Sequence, residues 1–580
     1  MEDIRWTIDR MYPTQEKKDE DIRAIEEGIK KFEEYAKNPK EHIKDSLDAM
    51  TKYVRICDNF STYAFMKQDE DSRVTESQKQ YKQASQLWEK LVSAMSYMDP
   101  FFVGLSKEDQ EALLKDEDLK DYRLYLERLF RYSDHTLSDK EEYLLSRLSF
   151  TGEAPQEIYY YLSNTDLKFP KLDGLDGKEL TAENFTTIEQ DERVEVRKEA
   201  FEKLYGTIKG FGNTIASAYY NNCRALSTVA DLKGYDSARH MELFKDDVDV
   251  KVYDSLLESI HKNMDLMHRY YAKKKEVLGL KEQHMYDVYL PMVSSSSKTY
   301  TFEEAKQLCI ESVRPLGEDY VEIYKKAFTE GWVDVYPREG KRGGAYSSGS
   351  YDSTPYISMN FNGTLDSVFT LAHEMGHSMH SYFSRHNNDF LYSNYVIFVA
   401  EVASTFNENL LLHYLKEHAE TEEEKQELLD FHLNSFKSTV YRQAMFAEFE
   451  KIVHERIEKG DGLTQEDMNQ IYLDLNKEYF GDAMVSDDLI AYEWMRIPHF
   501  YNDFYVYKYS TGFCAATVLS QGVLHGGEEE LKNYRKFLCD GGKHFPIEQL
   551  KMAGCDMSNP KTVDKALDVF RSLVEELEEL

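Results

Sequence analysis

The sequence is short of the two residues that make tight turns. It has 28 glycines and 12 prolines among 580 residues. All-β folds need many turns, and turns depend on glycine and proline. The shortage therefore predicts a mainly α protein, in which long helices are joined by few breaks. Because a chain of this length exceeds what one compact core usually holds, we also expect two or more lobes.

Cysteine pairs and long apolar runs are missing as well. None of the six cysteines forms a C-x-x-C pair, and their spacing matches no zinc-ribbon pattern. We therefore interpret them as reduced thiols of a cytoplasmic protein. The charged N-terminus lacks the apolar core of a signal peptide. The most apolar stretch, 395–412, carries Glu401 and Glu408, which predicts a buried helix and not a membrane span.

Positive charge is scarce. Lysine and arginine number 71 against 106 aspartates and glutamates, which gives a formal net charge of -35 at pH 7. Such a chain repels nucleic acid and anionic lipid, so we expect neither nucleic acid nor a membrane as a partner. Acidic helix faces keep a large protein in solution, and nothing in the sequence indicates an obligate protein partner.

Patterning along the chain divides it into two parts. Residues 15–150 show apolar residues at helical spacing, for example in the segment 22–32. A polar stretch with glycines follows at 172–185. There we place the boundary between an N-terminal helical lobe, 1–185, and a second domain, 186–580. The helical pattern returns after this stretch and continues, with few breaks, to the end.

The segment 339–361 breaks the helical pattern. Residues 339–353 are rich in glycine and serine, which predicts a flexible loop. Residues 354–361, TPYISMNF, alternate strictly between apolar and more polar side chains. Because successive side chains of a strand point to opposite faces, this alternation predicts a half-buried strand after the loop.

An H-E-x-x-H motif begins at His373. On a helix, residues four apart share a face, so the imidazoles of His373 and His377 can reach one ion. Zinc suits neutral imidazole nitrogen, and three protein ligands leave its fourth position to water. Glu374, offset by about 100° on the helix, can take the proton of that water and pass it to a leaving amine. Gly376 weakens the helix by about 1 kcal/mol relative to alanine, which indicates that another segment approaches closely there.

Such a site needs a third ligand. His380 lies on the same helix face as His373, but residues seven apart are about 10 Å apart along one helix. Glu401, in the next predicted helix, lies among apolar residues, where a carboxylate is costly unless it is paired or metal-bound. It either completes the metal site or forms a salt bridge with an arginine or lysine. Ser404 and Glu408 share its helix face.

These segments resemble a known family. They are similar to the thimet-oligopeptidase-like zinc metallopeptidases, and most similar to the oligoendopeptidase F branch. The resemblance rests on GKRGGAYSSGSYDSTPYISMNFNGTLDSVFTLAHEMGHSMHSYFS, on FVAEVASTFNE and on IPHFYNDFYVYKYSTGF. It is strong from about residue 190 onward and more diffuse over the N-terminal helices.

The resemblance implies one zinc ion per chain and a role for each residue around it. The ligands are His373, His377 and Glu401, which decides against His380 as a ligand, and Glu374 is the base. Ser404, Glu408 and His380 are expected to contact the ligand side chains and orient them without binding the metal.

The third of these segments supplies donors to the oxyanion. His499 and Tyr507 match the family's histidine and tyrosine that donate hydrogen bonds to the tetrahedral oxyanion, and one such donor is worth about 3 kcal/mol. The loop between them is shorter here than in thimet oligopeptidase, and Phe504 stands where a tyrosine is expected. Tyr505 and Tyr501 are therefore alternatives that can share the role.

The resemblance also implies the architecture. It predicts a two-lobed helical ellipsoid that encloses a deep catalytic channel, with a small β-sheet beside the metal site. We expect the strand at 354–361 to lie at the edge of this sheet, where an extended peptide can pair with it. The predicted substrate-binding residues are Gly344, Ala345, Tyr346, Tyr356, Ser358, Tyr501 and Tyr505.

The function that follows is hydrolysis of internal bonds in short, unfolded oligopeptides by a zinc-bound water that Glu374 activates. The domain 186–580 is then the catalytic domain. Two alternatives stay open. A zinc carboxypeptidase can use a similar helical scaffold, and a non-catalytic protein can bind peptides on the same scaffold.

Overall fold

The computed structural model describes residues 4–293 and 298–580. Over these residues the chain is mainly helical with one small sheet, which confirms the predicted fold class. Its α-helices are α1 (Gln15–Tyr35), α2 (Ile43–Glu70), α3 (Thr75–Met95), α4 (Met98–Val103), α5 (Lys107–Lys115), α6 (Arg123–Phe130), α7 (Asp139–Tyr161), α8 (Phe185–Ile188), α9 (Val194–Lys209), α10 (Gly212–Leu232), α11 (Ala238–Phe244), α12 (Val250–Lys262), α13 (Met264–Val277), α14 (Phe302–Ser312), α15 (Glu318–Thr329), α16 (Leu365–Asn387), α17 (Ile397–His418), α18 (Glu422–Ser435), α19 (Arg442–Glu458), α20 (Gln465–Phe480), α21 (Tyr507–His525), α22 (Glu528–Asp540), α23 (Pro546–Met552) and α24 (Pro560–Glu578).

The chain forms two compact units, and each of them combines three stretches of sequence. Unit 1 consists of Met1–Asp139, Lys298–Tyr414 and Leu519–Gly554. Unit 2 consists of Lys140–Ser297, Leu415–Val518 and Cys555–Leu580. The division of the chain at 185 into a helical lobe and a catalytic domain stays a prediction.

Unit 1 contains the sheet. Its strands are β1 (Val333–Asp334), β2 (Tyr346–Ser348) and β3 (Tyr356–Ser358). β3 is the central strand, parallel to β1 and antiparallel to β2. The prediction of an edge strand at 354–361 is therefore wrong, because a strand pairs on each side of it. Part of the segment predicted as a flexible loop forms β2.

The burial of β3 follows from its central position. Tyr356, Ile357 and Ser358 are all buried, so the prediction of a half-buried strand is also wrong. On one face the Tyr356 ring lies 6.3 Å from the ring of Trp6, and its hydroxyl donates a hydrogen bond to the Thr7 carbonyl oxygen. α16 packs against the sheet as well. The alternation of side chains marks a strand correctly, but both of its faces are covered.

Helices in both units bury apolar side chains against one another. In unit 1, α1, α2 and α3 pack together around Phe32, Leu47 and Phe60. In unit 2, the rings of Tyr219 and Phe449 stack at 6.2 Å between α10 and α19. Phe500 packs against both rings, at 5.7 and 5.2 Å. This aromatic core fixes the start of the segment that carries His499.

The apolar stretch 395–412 lies mostly in α17, and many of its residues are buried, as predicted. In the part of the chain that the structure describes, no helix combines the length and apolar character needed to cross a membrane. All six cysteines lie in this described part, and none of them forms a disulfide.

Candidate functional site

α16 carries the H-E-x-x-H residues on one of its faces. Leu371, Met375 and Met379 are buried in the interior of unit 1. His373 and His377 are only partly buried. The helix therefore packs one side into the core and presents both imidazoles together on another side.

Three donor atoms converge beside α16. Nε2 of His373 lies 3.2 Å from Nε2 of His377. Oε2 of Glu401, from α17, lies 3.3 Å from the first nitrogen and 3.4 Å from the second. A tetrahedral zinc ion with ligands at about 2.0–2.1 Å holds its ligand atoms roughly 3.3–3.4 Å apart. The three atoms thus have the spacing of one face of a zinc tetrahedron, and this donor set fits the metal.

Gly376 lets α17 come close to α16. A Cβ atom at this position would lie 2.5 Å from the Ala403 carbonyl oxygen and 2.6 Å from Cα of Ser404. The predicted close approach of another segment at Gly376 is therefore confirmed. This close crossing brings Glu401 within reach of the two histidines.

Replacing Gly376 by alanine should lower the melting temperature. The added methyl group meets backbone atoms that cannot move aside cheaply, and such overpacking costs about 1–3 kcal/mol. Gly206→Ala is a matched control, because Gly206 is an exposed helical glycine. In the part of the chain that the structure describes, a Cβ added there meets nothing within 4 Å. We expect the control to raise stability by about 0.5–1 kcal/mol. Thermal unfolding followed by circular dichroism compares the two variants, and an equal gain in both would contradict the close approach.

The ligand atoms have partners behind them. The Ser404 hydroxyl donates to Oε2 of Glu401 at 2.9 Å. Nδ1 of His373 is hydrogen-bonded to the Glu408 carboxylate. A carboxylate on Nδ1 fixes the tautomer and the orientation of a histidine, with Nε2 turned towards the metal. Ser404 and Glu408 thus lie next to the ligand atoms of Glu401 and His373.

Electrostatics in this cluster favour a cation. Burial tends to raise the pKa of Glu401, but hydrogen bonds from His373 and His377 hold that pKa well below its ordinary value. Burial lowers the pKa of His373, yet the carboxylates of Glu401 and Glu408 raise it well above normal. Both shifts have one cause, the attraction between these carboxylates and imidazoles.

His380 lies apart from the donor set. Its ring stacks on Tyr395 with centroids 3.7 Å apart and lies 5.0 Å from the ring of Phe537. Burial lowers the pKa of His380 to about 3, so its imidazole is neutral. The structure places this side chain in an aromatic layer and does not bring it to the ligand atoms.

Glu374 is oriented differently from the ligands. It is 7% exposed, and its Oε2 atom has no hydrogen-bond partner among the described residues. Burial raises the pKa of Glu374, while His373, His377 and the Ser347 backbone N–H act in the opposite direction. A buried carboxylate oxygen without a partner costs free energy unless a water or substrate group meets it. The arrangement suits a group that accepts a proton from a molecule held at the site.

β2 runs alongside α16 near Glu374. The hydroxyls of Ser347 and Ser378 are 2.8 Å apart. Within the described sheet β2 pairs with β3 alone, so β2 is an edge strand. Backbone N–H and C=O groups on its outer side can pair with another extended chain. Gly344 and Ala345 lie directly before this strand, exposed and partly exposed.

Other predicted substrate-binding residues of unit 1 lie in the interior. Tyr356 and Ser358 are buried in the central strand, out of reach of a peptide, because β3 is not at the edge. The Tyr346 ring packs 5.5 Å from Phe65 and 6.2 Å from Trp6. Its side chain therefore supports the sheet, although its backbone belongs to β2.

In unit 2, His499 is exposed and has two tyrosines beside it. The hydroxyl oxygen of Tyr509 lies 3.4 Å from Nε2 of His499. The Tyr505 ring lies 6.3 Å from His499 and 5.3 Å from Tyr509. The sequence interpretation missed Tyr509. Its signal was the four-residue spacing from Tyr505, which places both rings on one side of the chain where α21 begins.

Tyr507 and Tyr501 instead face the interior of unit 2. Tyr507 is fully buried, with its ring 4.9 Å from Tyr253. Tyr501 is 7% exposed and stacks on Tyr159 at 4.5 Å. Burial raises the pKa of Tyr507 well above its ordinary value. The structure therefore does not bring the hydroxyls of these two tyrosines to His499.

Comparison with known proteins places the chain in a family. The family model described as peptidase family M3 matches residues 187–569, and the one described as oligopeptidase F matches residues 102–169. Oligopeptidase PepF of Bacillus subtilis is 39% identical over 99% of this chain and 87% of its own length. An oligoendopeptidase F homolog of Lactococcus lactis is 36% identical over 100% of this chain and 97% of its own.

Solved structures show the same likeness. A putative peptidase from Chlamydophila abortus superposes with a TM-score of 0.92 at 33% identity, over 99% of this chain and 98% of that one. Oligoendopeptidase F from Enterococcus faecium superposes with a TM-score of 0.76 at 32% identity, over 97% and 98%. The resemblance that the sequence motifs indicated is thus confirmed along the whole chain. This chain belongs to peptidase family M3, in its oligoendopeptidase F branch, and is a metallo-oligopeptidase.

Proposed function

We propose that the chain is a zinc-dependent endopeptidase that cleaves internal bonds of short, unfolded oligopeptides. One observation carries the proposal: Nε2 of His373, Nε2 of His377 and Oε2 of Glu401 converge at 3.2–3.4 Å. Next to them Glu374 keeps a carboxylate oxygen without a partner among the described residues. The names of the relatives, oligopeptidase and oligoendopeptidase, support the size class of the substrate and the internal cleavage.

The chemistry divides between one metal ion and the side chains around it. His373, His377 and Glu401 would hold the zinc, which when bound polarises the scissile carbonyl and acidifies water. Glu374 accepts the proton of the attacking water and delivers it to the leaving amine nitrogen. Glu408 keeps the ring of His373 oriented through Nδ1.

The substrate backbone is held at the outer edge of β2. An extended peptide that pairs there gains affinity through main-chain hydrogen bonds and needs no particular side chains. Gly344 and Ala345 extend this edge beyond the strand. A deep channel that admits short peptides and excludes folded proteins belongs to this proposal, as do the cytoplasmic location and the absence of nucleic acid or membrane partners.

His499 and Tyr509 donate hydrogen bonds to the oxygen of the scissile carbonyl as it becomes negative. Tyr509→Phe should therefore lower kcat by about 10²–10³-fold, the loss typical of one oxyanion donor. Tyr507→Phe is the matched control, two residues away, and we expect wild-type kcat because its hydroxyl is buried beside Tyr253. Steady-state kinetics on a fluorogenic peptide compares them. The reverse ranking would return the donor role to Tyr507.

A digest of a short peptide blocked at both termini tests the proposed activity. We expect internal cleavage, seen by mass spectrometry, that stops on chelation and returns with zinc. A carboxypeptidase needs a free C-terminus and would leave this peptide intact while trimming its unblocked form. A non-catalytic binding protein would retain both peptides and cleave neither.

A further inference from the structure

We propose that Glu450 and Asp503 are positioning residues for the reaction. Together with His454 they hold a strained turn at Phe504, and this turn sets His499 relative to Tyr509. The inference rests on the proposed function, in which His499 and Tyr509 donate to the substrate carbonyl oxygen.

Strain is concentrated at Phe504. Its φ angle is 55°, in the left-handed region that favours glycine. Among the described residues, the other non-glycine residues with positive φ are Asp176 and Asp247. Aspartate tolerates this conformation, whereas for a bulky residue it is a genuine outlier that costs about 1–3 kcal/mol. Such a conformation persists only where the surroundings hold it.

Glu450, on α19, holds the backbone of the turn. The Phe504 N–H donates to Oε1 of Glu450 at 2.7 Å. Glu450 is fully buried, and burial together with the nearby Asp503 raises its pKa well above the ordinary value. Both effects disfavour the charged form of the side chain, and its Oε1 atom accepts the hydrogen bond from Phe504. Leucine at this position would leave a backbone donor without its acceptor.

Asp503 holds the turn from its other side. Its carboxylate accepts hydrogen bonds from Nδ2 of Asn222 at 2.9 and 3.0 Å. Its Oδ1 atom lies 3.1 Å from Nε2 of His454. His454 is one helical turn after Glu450, and its ring packs 4.6 Å from the ring of Phe504. The two anchors thus reach the turn from α10 and from a single face of α19.

The turn connects the two proposed donors. The Asn502 N–H donates to the His499 carbonyl oxygen at 2.9 Å, and the Tyr505 N–H donates to Asn502 at 3.2 Å. The chain then enters α21, which carries Tyr509. A change at Phe504 therefore alters the separation of the His499 and Tyr509 side chains. A displacement of about 1 Å in a catalytic group can lower a rate by about 10²-fold.

Glu450→Leu and Glu450→Gln test the inference together. We expect Glu450→Leu to lower kcat by about 10²-fold with KM and zinc content unchanged. Glu450→Gln should retain wild-type kcat, because its amide oxygen still accepts from the Phe504 N–H. Glu448→Leu is the matched control on the same helix, α19: Glu448 lies on another side of that helix, where it is hydrogen-bonded to His261 and Tyr479. It should lose stability and keep its kcat.

Kinetics are measured well below the melting temperature of each variant, with the folded fraction determined by circular dichroism. If folded Glu450→Leu keeps wild-type kcat, the inference is overturned, even when its melting temperature falls. If Glu450→Leu does not fold, Asp503→Ala carries the same expectation, with rescue by Asp503→Asn. Wild-type kcat in Asp503→Ala would then overturn the inference.

The proposed function has a separate readout in the same assay. If Tyr509→Phe and His499→Gln both lose activity while Glu450→Leu and Asp503→Ala do not, only the positioning inference fails. If Tyr509→Phe and His499→Gln keep full activity, the donor roles fail, and the positioning inference falls with them.

Discussion

Glu374→Gln should lower kcat/KM by about 10³–10⁴-fold and leave the metal bound, because the amide cannot accept the proton of the attacking water. The substitution keeps the size of the side chain. It also leaves the convergent atoms of His373, His377 and Glu401 untouched. The rate of peptide hydrolysis and the metal content are both measured on the same protein preparation.

Asp366→Asn is the control for this experiment. Asp366 is an exposed acidic residue in the first turn of the same helix, α16, so the change from carboxylate to amide is chemically equivalent. We expect activity within about twofold of wild type, since exposed substitutions away from a site change little. Turnover in Glu374→Gln equal to that of Asp366→Asn would remove Glu374 from the mechanism.

Glu401→Gln should lose the metal that Glu374→Gln retains. Its carboxylate supplies the third donor atom, at 3.3 and 3.4 Å from the two imidazole nitrogens. A neutral amide binds zinc poorly, so we expect most of the metal to be lost on dialysis, and the activity with it. Inductively coupled plasma mass spectrometry measures the metal content of the dialysed protein. Excess zinc should restore only part of the activity.

Glu417→Gln serves as the control on the same helix. Glu417 lies near the C-terminal end of α17 and is exposed. It should keep both metal and activity. If Glu401→Gln kept a full complement of metal after dialysis, the ligand set would need another third member, and the alternative of a salt-bridging Glu401 would gain support.

Local spacing was enough to predict much of the site. The histidines at i and i+4 share a helix face wherever the helix lies, so their convergence needed no tertiary information. Gly376 marked the position of a close helix crossing, since a glycine inside a helix has a cost that packing must offset. The third ligand stayed open on the residues alone, because its distance to the histidines depends on how α16 and α17 cross.

Pairing of the strands was not predictable in this way. Alternation in 354–361 is the same for an edge strand and a central one, and β1 has only two residues, Val333 and Asp334. So short a strand leaves no pattern in the sequence. β2 lies within a glycine- and serine-rich segment that reads as a loop. The edge position was therefore assigned to the wrong strand.

The positions of the tyrosine side chains also depend on the fold. Tyr505, Tyr507 and Tyr509 alternate along the sequence, and which of them share a face depends on where α21 begins. The contact of Tyr507 with Tyr253 joins residues far apart in the chain, which no local pattern reports. The family resemblance identified the segment. The structure shows that Tyr505 and Tyr509 lie beside His499, whereas Tyr507 faces the interior of unit 2.

The central claim is that hydrolysis depends on one zinc ion held by the His373, His377 and Glu401 side chains. Metal analysis of the purified protein, paired with a peptide digest before chelation, after chelation and after zinc is returned, tests it directly. We predict one zinc per chain, internal cleavage that disappears with the metal, and recovery when zinc is added. Undiminished cleavage by protein shown to be free of metal would contradict the account.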